Sequence, residues 1–289
     1  MGTPWTKRGR VQRWRDRHRA VDAAFTLQEN LRDHRTTKNA ALVAHFGFLS
    51  LLPLMLVLTT VLGFLLQNRP HWRERILNST AQRIPIIGPQ LAQSPERLTG
   101  NAVVLVIGLL TTLWAGTRAF MAMQTGLDDI ADVPLDERSN AALGRFRALV
   151  GIGLIGGAQF ATAAITALVG VSGLAGLSKV LLVLAAVAVN VAVVLGTYRW
   201  LCTRRARWRE LLPGALVAGT TFAALQVLGT TLVSRAISKA SPVYGTFATV
   251  IGLLSWLSLH ALVALLGAEL NVLIHWLRTG QDEPTPVQG

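Results

Sequence analysis

Residues 40–66 read AALVAHFGFLSLLPLMLVLTTVLGFLL, with Lys38 just before them and Gln67-Asn68-Arg69-Pro70 just after. The run carries no charged side chain and is long enough to cross about 30 Å of hydrocarbon as one helix. A helix apolar on every side has no face to turn to water, so it belongs in lipid or in a buried core. Further apolar runs decide between these: 101–123, 148–171, 179–201, 213–233 and 244–273, the third and fourth separated by Ser172-Gly173-Leu174-Ala175-Gly176. The last is long enough to be tilted. We therefore expect an all-α integral membrane protein, a six-transmembrane-helix bundle in which a basic amphipathic segment 1–39 precedes the membrane domain 40–273. A short tail, 274–289, is expected to be disordered.

The composition of the 289 residues, 51% hydrophobic and 15% charged with mean hydropathy +0.44, excludes an ordinary soluble chain, in which about 25% of residues are charged. A net charge of +13 suggests nucleic acid, but ten of the 28 Lys and Arg residues precede Asn39 and most others flank apolar runs. That distribution orients a membrane protein and argues against a nucleic-acid partner. With the N-terminus in the cytoplasm, 20 basic residues fall inside and eight outside, so both termini are expected to be cytoplasmic in the inner membrane. The first apolar run is too long for a signal-peptide core, and the first span is expected to act as its own signal. The single cysteine, Cys202, excludes an internal disulfide framework and a multi-cysteine metal site.

Val11, Trp14, Val21, Phe25 and Leu31 gather near one face of an N-terminal helix, with Arg13, Arg15, Arg17, Arg19 and Arg32 around the remainder. This reads as an interfacial helix whose arginines contact anionic lipid headgroups, or whose charges only hold the N-terminus inside. The first external loop, 67–100, is also amphipathic: Trp72, Ile76, Leu77 and Ile84 suggest a second surface helix ending at Pro85.

No catalytic constellation stands out. The six histidines lack metal-ligand spacing, and no phosphate-binding or nucleophile motif occurs, so neither metal, cofactor, catalytic residue nor nucleotide hydrolysis is expected. Asp128, Asp129, Asp132, Asp136 and Glu137 form one acidic patch, read as a solvated loop pairing with nearby arginines. The informative groups are polar residues at membrane depth, each costly unless partnered or facing water. Gln159, Asn190, Gln226 and His260 sit midway along spans three to six and form either packing contacts or a shared substrate path. Arg118 and Glu269, of opposite sign and similar depth, are the expected ion pair or gate. Gly153 and Gly157, and Ala215, Gly219 and Ala223, supply small faces for close helix approach. Pro53, one turn after Ser50, removes an N–H at mid-helix and is expected to kink span one.

Several motifs carry a resemblance. Phe48-Leu49-Ser50-Leu51-Leu52-Pro53-Leu54, Leu113-Trp114-Ala115-Gly116-Thr117-Arg118-Ala119-Phe120, Leu212-Pro213-Gly214-Ala215, Val243-Tyr244-Gly245-Thr246-Phe247-Ala248 and Leu265-Leu266-Gly267-Ala268-Glu269-Leu270-Asn271 occur in that order. The chain resembles the YihY/BrkB family of bacterial inner-membrane proteins, in particular its YhjD branch. The resemblance implies a six-helix envelope protein linked to serum resistance, envelope integrity and export of lipid-linked material. It also carries an old ribonuclease label, for which this chain lacks clustered His and Asp residues. Three functions are weighed: a transporter or translocation component for a lipid-like amphipathic substrate, a non-transporting scaffold of envelope assembly, and, least favoured, an enzyme. The partners expected are membrane lipids and envelope-assembly proteins.

Overall fold

The computed structural model describes residues 19–66, 102–138, 140, 142–153, 177–204, 206–239 and 242–279. Among them the protein is helical, in seven segments, with no strand. We name α1 (Arg19–Asp33), α2 (Thr36–Leu66), α3 (Ala102–Ile130), α4 (Leu177–Leu201), α5 (Trp208–Lys239) and α6 (Pro242–Thr279), with a further helical stretch at 142–153. Of these, α2, α3, α4 and α6 are long and apolar enough to cross a membrane. At 1.5 Å per residue α6 is about 57 Å long, so it must tilt within the bilayer or extend beyond it. The loop 67–100, residues 1–18 with Arg13, Arg15 and Arg17, and 154–176 with Gln159 lie outside the described residues.

Local chemistry sets the helix ends. At the close of α1, the His34 N–H donates to Asn30 O at 2.9 Å and the Arg35 N–H to Arg32 O at 3.2 Å. Arg35 then takes φ 53°, a left-handed residue that turns the chain into α2. The end of α3 has the same device: Asp132, at φ 48°, donates its N–H to Asp129 O while the Val133 N–H reaches back to Asp128 O at 2.9 Å. This is a Schellman closure, and Val133 is buried as that motif favours. At the start of α5, Glu210 accepts from the Arg207 N–H at 3.1 Å, half of a capping box. Pro242 occupies the first position of α6, where its missing N–H costs nothing.

Spans five and six run on to Lys239 and Thr279, past their expected ends at 233 and 273, and two further spans differ at the elbow end. Span one begins at Thr36 rather than Ala40, and span two continues to Ile130 rather than Met123. In both, residues too polar to read as membrane helix are buried at one end of the bundle, namely Thr36, Asn39, Gln124 and Asp128. Pro53 does not break α2, which runs through it as one helix. Ser50 Oγ donates to Gly47 O at 2.7 Å one turn earlier.

The bundle is built by close approach of small residues, the arrangement expected where lipid leaves no hydrophobic drive between helices. A Cβ on Gly108 would meet Val57 and the Pro53 carbonyl, so α3 lies tight along α2. Gly219 faces Val191 of α4, and Gly214 faces the Gly267 carbonyl of α6. Ala215 and Ala218 are wholly covered. Around them Tyr198, Leu201, Leu127, Ile130 and Leu265 complete the core. This core sits at the end of the bundle where α1 turns into α2, called here the elbow end.

Gly214 is the tightest of these positions, because what a side chain would meet is backbone, which cannot rotate away. Gly214→Ala should therefore destabilise the protein by about 1–3 kcal/mol or more, read as thermal unfolding in detergent. Gly252→Ala, where a Cβ meets nothing within 4 Å, should be neutral. Equal stability of the two variants would mean that α5 and α6 do not touch at Gly214.

Candidate functional site

The elbow end gathers side chains from four places in the chain. Glu269, on α6, is wholly buried. Its Oε1 accepts from His34 Nδ1 at 2.9 Å and from Thr36 Oγ1 at 2.9 Å. Oε2 has no hydrogen-bond partner. The second nitrogen of the imidazole, Nε2, lies 3.6 Å from Asp132 Oδ1 at the end of α3. His34 thus bridges two carboxyl groups from different helices.

A second layer supports the first. Asn39 Nδ2 donates to Asp129 Oδ2 at 2.9 Å and to the His34 carbonyl at 3.4 Å. Asp129 Oδ1 also accepts from Arg138 Nη2 at 2.7 Å, and Arg138 Nε holds Val133 O. Asp128, buried one residue earlier, accepts from the Thr203 N–H at 2.7 Å and Thr203 Oγ1 at 3.0 Å, which fixes the turn after α4. The acidic patch is therefore only in part the solvated loop expected from sequence. Asp129 does pair with an arginine, but Asp128 is a buried cap and Asp132 part of the His34 bridge. No group of three or more metal-ligating side chains occurs among the described residues.

Burial lowers the His34 pKa, but hydrogen bonds and charge from Asp132 and Glu269 outweigh it and raise the pKa from 6.5 to about 10. The imidazole is thus a cation at neutral pH, donating through Nδ1 to Glu269 and facing the Asp132 carboxylate through Nε2. Burial and Asp128 push the Cys202 thiol up to about 11, which leaves it without thiolate reactivity near neutrality.

The expected Arg118–Glu269 pair does not form. Glu269 is turned to the elbow, whereas Arg118 is exposed with its guanidinium 5.5 Å over the Trp114 ring. The reason is depth: Gly126 of α3 lies against Leu265 of α6, and Glu269 meets Asp132 just past the end of α3 through His34, so Arg118 stands about three turns away along α3. Of the mid-span polar residues, Asn190 is buried and donates Nδ2 to Ala186 O at 2.9 Å. His260 is half-buried, with Nδ1 at 2.9 Å from Trp256 O and its ring against Phe222 and Trp256. Val191, next to Asn190, packs on Gly219, while Phe222, three residues along α5, stacks on His260. These two predicted residues therefore flank α5 at one level. Gln226 lies on α5 and Arg19 opens α1, but their side chains, like all of Gln159, fall outside the description.

His34, Thr36 and Asn39 were not singled out by the sequence, and Asp128 only as part of the acidic patch. Their signal was a cluster of polar residues directly before span one and after span two, positions that sequence reading assigns to solvent.

The family model described as virulence factor BrkB matches residues 27–289. The chain belongs to the BrkB family. No curated protein and no solved structure matches it. Two motifs of this BrkB-family chain, Leu212–Ala215 and Leu265–Asn271, meet face to face: Gly214 lies against Gly267, and the Gly214 N–H donates to Asn271 Oδ1 at 2.6 Å.

Because folding raises the His34 pKa above its unfolded value, its stabilisation is complete below about pH 6.5 and is lost as pH climbs through about 10. Thermal stability in neutral detergent should fall over that window by up to a few kcal/mol. His34→Gln should flatten the slope. A variant that keeps the wild-type slope would show that the imidazole is not the titrating group.

Proposed function

We propose that this BrkB-family chain is a six-span inner-membrane protein with both termini cytoplasmic. In this reading it moves, or helps to move, a lipid-like or lipid-linked amphipathic substrate, without hydrolysing nucleotide itself. What supports the reading is that the turn of α4 bearing Asn190 packs on α5, through Val191 against Gly219, within a turn of where His260 of α6 stacks on Phe222 of α5. An apolar tail can stay in the bilayer while a polar head passes such groups. A small charged solute would call for a carboxylate or cation at that depth. The elbow end, shut by the core and by the His34 bridge, is then the closed side of the path.

A scaffold for envelope assembly is the second reading. It is favoured by the hydrogen bonds that Asn190 and His260 make to carbonyls of their own helices, which leave part of their polarity satisfied without any substrate.

The two readings part in reconstituted vesicles scored for movement of labelled phospholipid or polyprenyl-linked lipid. Wild type should exceed empty vesicles, and Asn190→Leu should fall toward their rate while folding normally, since the hydrogen bond from Nδ2 to Ala186 O that it removes lies within α4. Background rates for both proteins would sink autonomous translocation and leave the scaffold.

A further inference from the structure

One charge at membrane depth is left without a protein partner. Arg118 lies inside an apolar span, about 18 Å from the elbow end of α3 at Ile130 and about 24 Å from its other end. Among the described residues its guanidinium has no hydrogen-bond or carboxylate partner and lies over the Trp114 ring, one turn back along α3. Trp114 is on the side away from the elbow. The arginine is therefore folded toward the middle of the span, whereas a lipid-facing arginine ordinarily stretches its charge to the nearer water.

The face on which it stands is not a packing face. Ile107, Leu110, Trp114 and Arg118 recur every three or four residues, so they form one stripe, and all four are exposed. The sides of α3 that the bundle covers are elsewhere: Gly108 lies on Val57 and the Pro53 carbonyl, and Gly116 and Phe120 meet Ile152 and Gly151. Toward the elbow the stripe thus presents two aliphatic side chains, then an aromatic ring, then a guanidinium. That is the order of acyl chain, glycerol region and phosphate in a lipid of the elbow-side leaflet. An unpaired guanidinium in hydrocarbon is costly, and its fork of N–H donors fits two phosphate oxygens. Trp114 occupies one face of the guanidinium plane and leaves the donor edge to such a ligand.

We propose that the stripe from Ile107 to Arg118 is a binding site for one anionic phospholipid, with its phosphate on Arg118, its glycerol region against Trp114 and an acyl chain along Leu110 and Ile107. A cation on the lipid-facing side serves a molecule that arrives through the bilayer, not a solute arriving from water. A zwitterionic headgroup is disfavoured, because it brings its own cation to a place where one already stands. Arg118 is about three turns inside the elbow end, past the buried polar side chains Gln124 and Asp128, so a phosphate held there is drawn below the plane of its leaflet. Binding of the lipid stands by itself. That the site loads a transported lipid rests on the translocation reading, and it gives that substrate an anionic phosphate head.

The test uses full-length protein in phosphatidylcholine vesicles that contain a fraction of dibromo-phosphatidylglycerol or, in parallel, dibromo-phosphatidylcholine. Bromine quenches indole emission on contact, and the share due to Trp114 is the difference between each protein and its Trp114→Phe counterpart. Quenching of that share should favour phosphatidylglycerol several-fold. Arg118→Gln should bring the two lipids to parity, whereas Arg204→Gln, which removes one exposed positive charge at the elbow end, should leave the preference unchanged. Should Arg118→Gln fold poorly, Arg118→Met, suited to a lipid-facing position, carries the same test. In phosphatidylcholine alone Arg118→Met should be at least as stable as wild type. A preference that survives the loss of Arg118, or that falls equally in Arg204→Gln, overturns the site. So does a Trp114 reached by neither lipid, since a second copy of the chain or another protein surface then covers the stripe. A marked loss of stability in Arg118→Met overturns it as well, because the arginine then has a protein partner. An Arg118-dependent preference without lipid movement in wild type upholds the site and removes the translocation reading. Lipid movement without any such preference removes the site and leaves translocation standing.

Discussion

A carboxyl group at zero exposure, in a helix that otherwise belongs to lipid, is the constraint around which the elbow end is arranged. An ionisable side chain at such a position has to be partnered, and the partner has to come from another element. For Glu269 the partners are His34 and Thr36, which lie in the turn before α2 and in its first residue. Holding them there fixes where α2 starts, and with it the position of α1, which packs on α6. Asp132, the left-handed residue that closes α3, then stands on the far side of the ring. One buried charge thereby sets the relation of four helices.

The packing that lets Glu269 be buried is supplied by glycine. Gly214 and Gly267 bring α5 and α6 to backbone contact. At that distance Asn271 reaches the Gly214 N–H, and Tyr198 of α4 reaches the Ala264 carbonyl at 2.5 Å. Each bond is made between helices, where lipid offers no competing partner, so each contributes to register as well as stability. The family motifs containing these residues are thus the two halves of one helix contact. Their presence in sequence speaks first of architecture, and the polar groups they position carry the chemistry.

How much of this was legible follows from what each signal measures. Hydropathy over a long run reports the solvent, and it placed α2, α3, α4 and α6 correctly because few polar residues interrupt them. It misplaced the elbow ends of α2 and α3 because Thr36, Asn39 and Asp128 are buried against Glu269, Asp129 and Thr203 from distant parts of the chain, a tertiary event that a linear scan cannot see. Depth along a span located Glu269 as a group needing a partner but gave Arg118 as that partner. Counting from span ends misjudged that depth, since the packing of Gly126 on Leu265 sets Glu269 level with the end of α3, well beyond Arg118, which lies over Trp114. The small-residue pattern in span five was readable, since Ala215 and Gly219 lie on the contact surface. Gly214, one residue from that pattern, makes the tightest approach because it stands against the Gly267 backbone.

The unsatisfied atoms bear on whether the elbow end is merely a closure. A seam evolved only for stability would satisfy its buried donors and acceptors, since each orphan costs about 1–3 kcal/mol. Here Glu269 Oε2 and Asn271 Nδ2, two residues apart on α6, are both buried and both without a partner. They flank the positions where α6 meets the elbow and α5. Incomplete satisfaction keeps the closed state close in energy to any state in which those atoms find water or a proton. The same two residues that draw the helices together through Glu269 Oε1 and Asn271 Oδ1 thus each carry a second buried polar atom that the contact leaves unused.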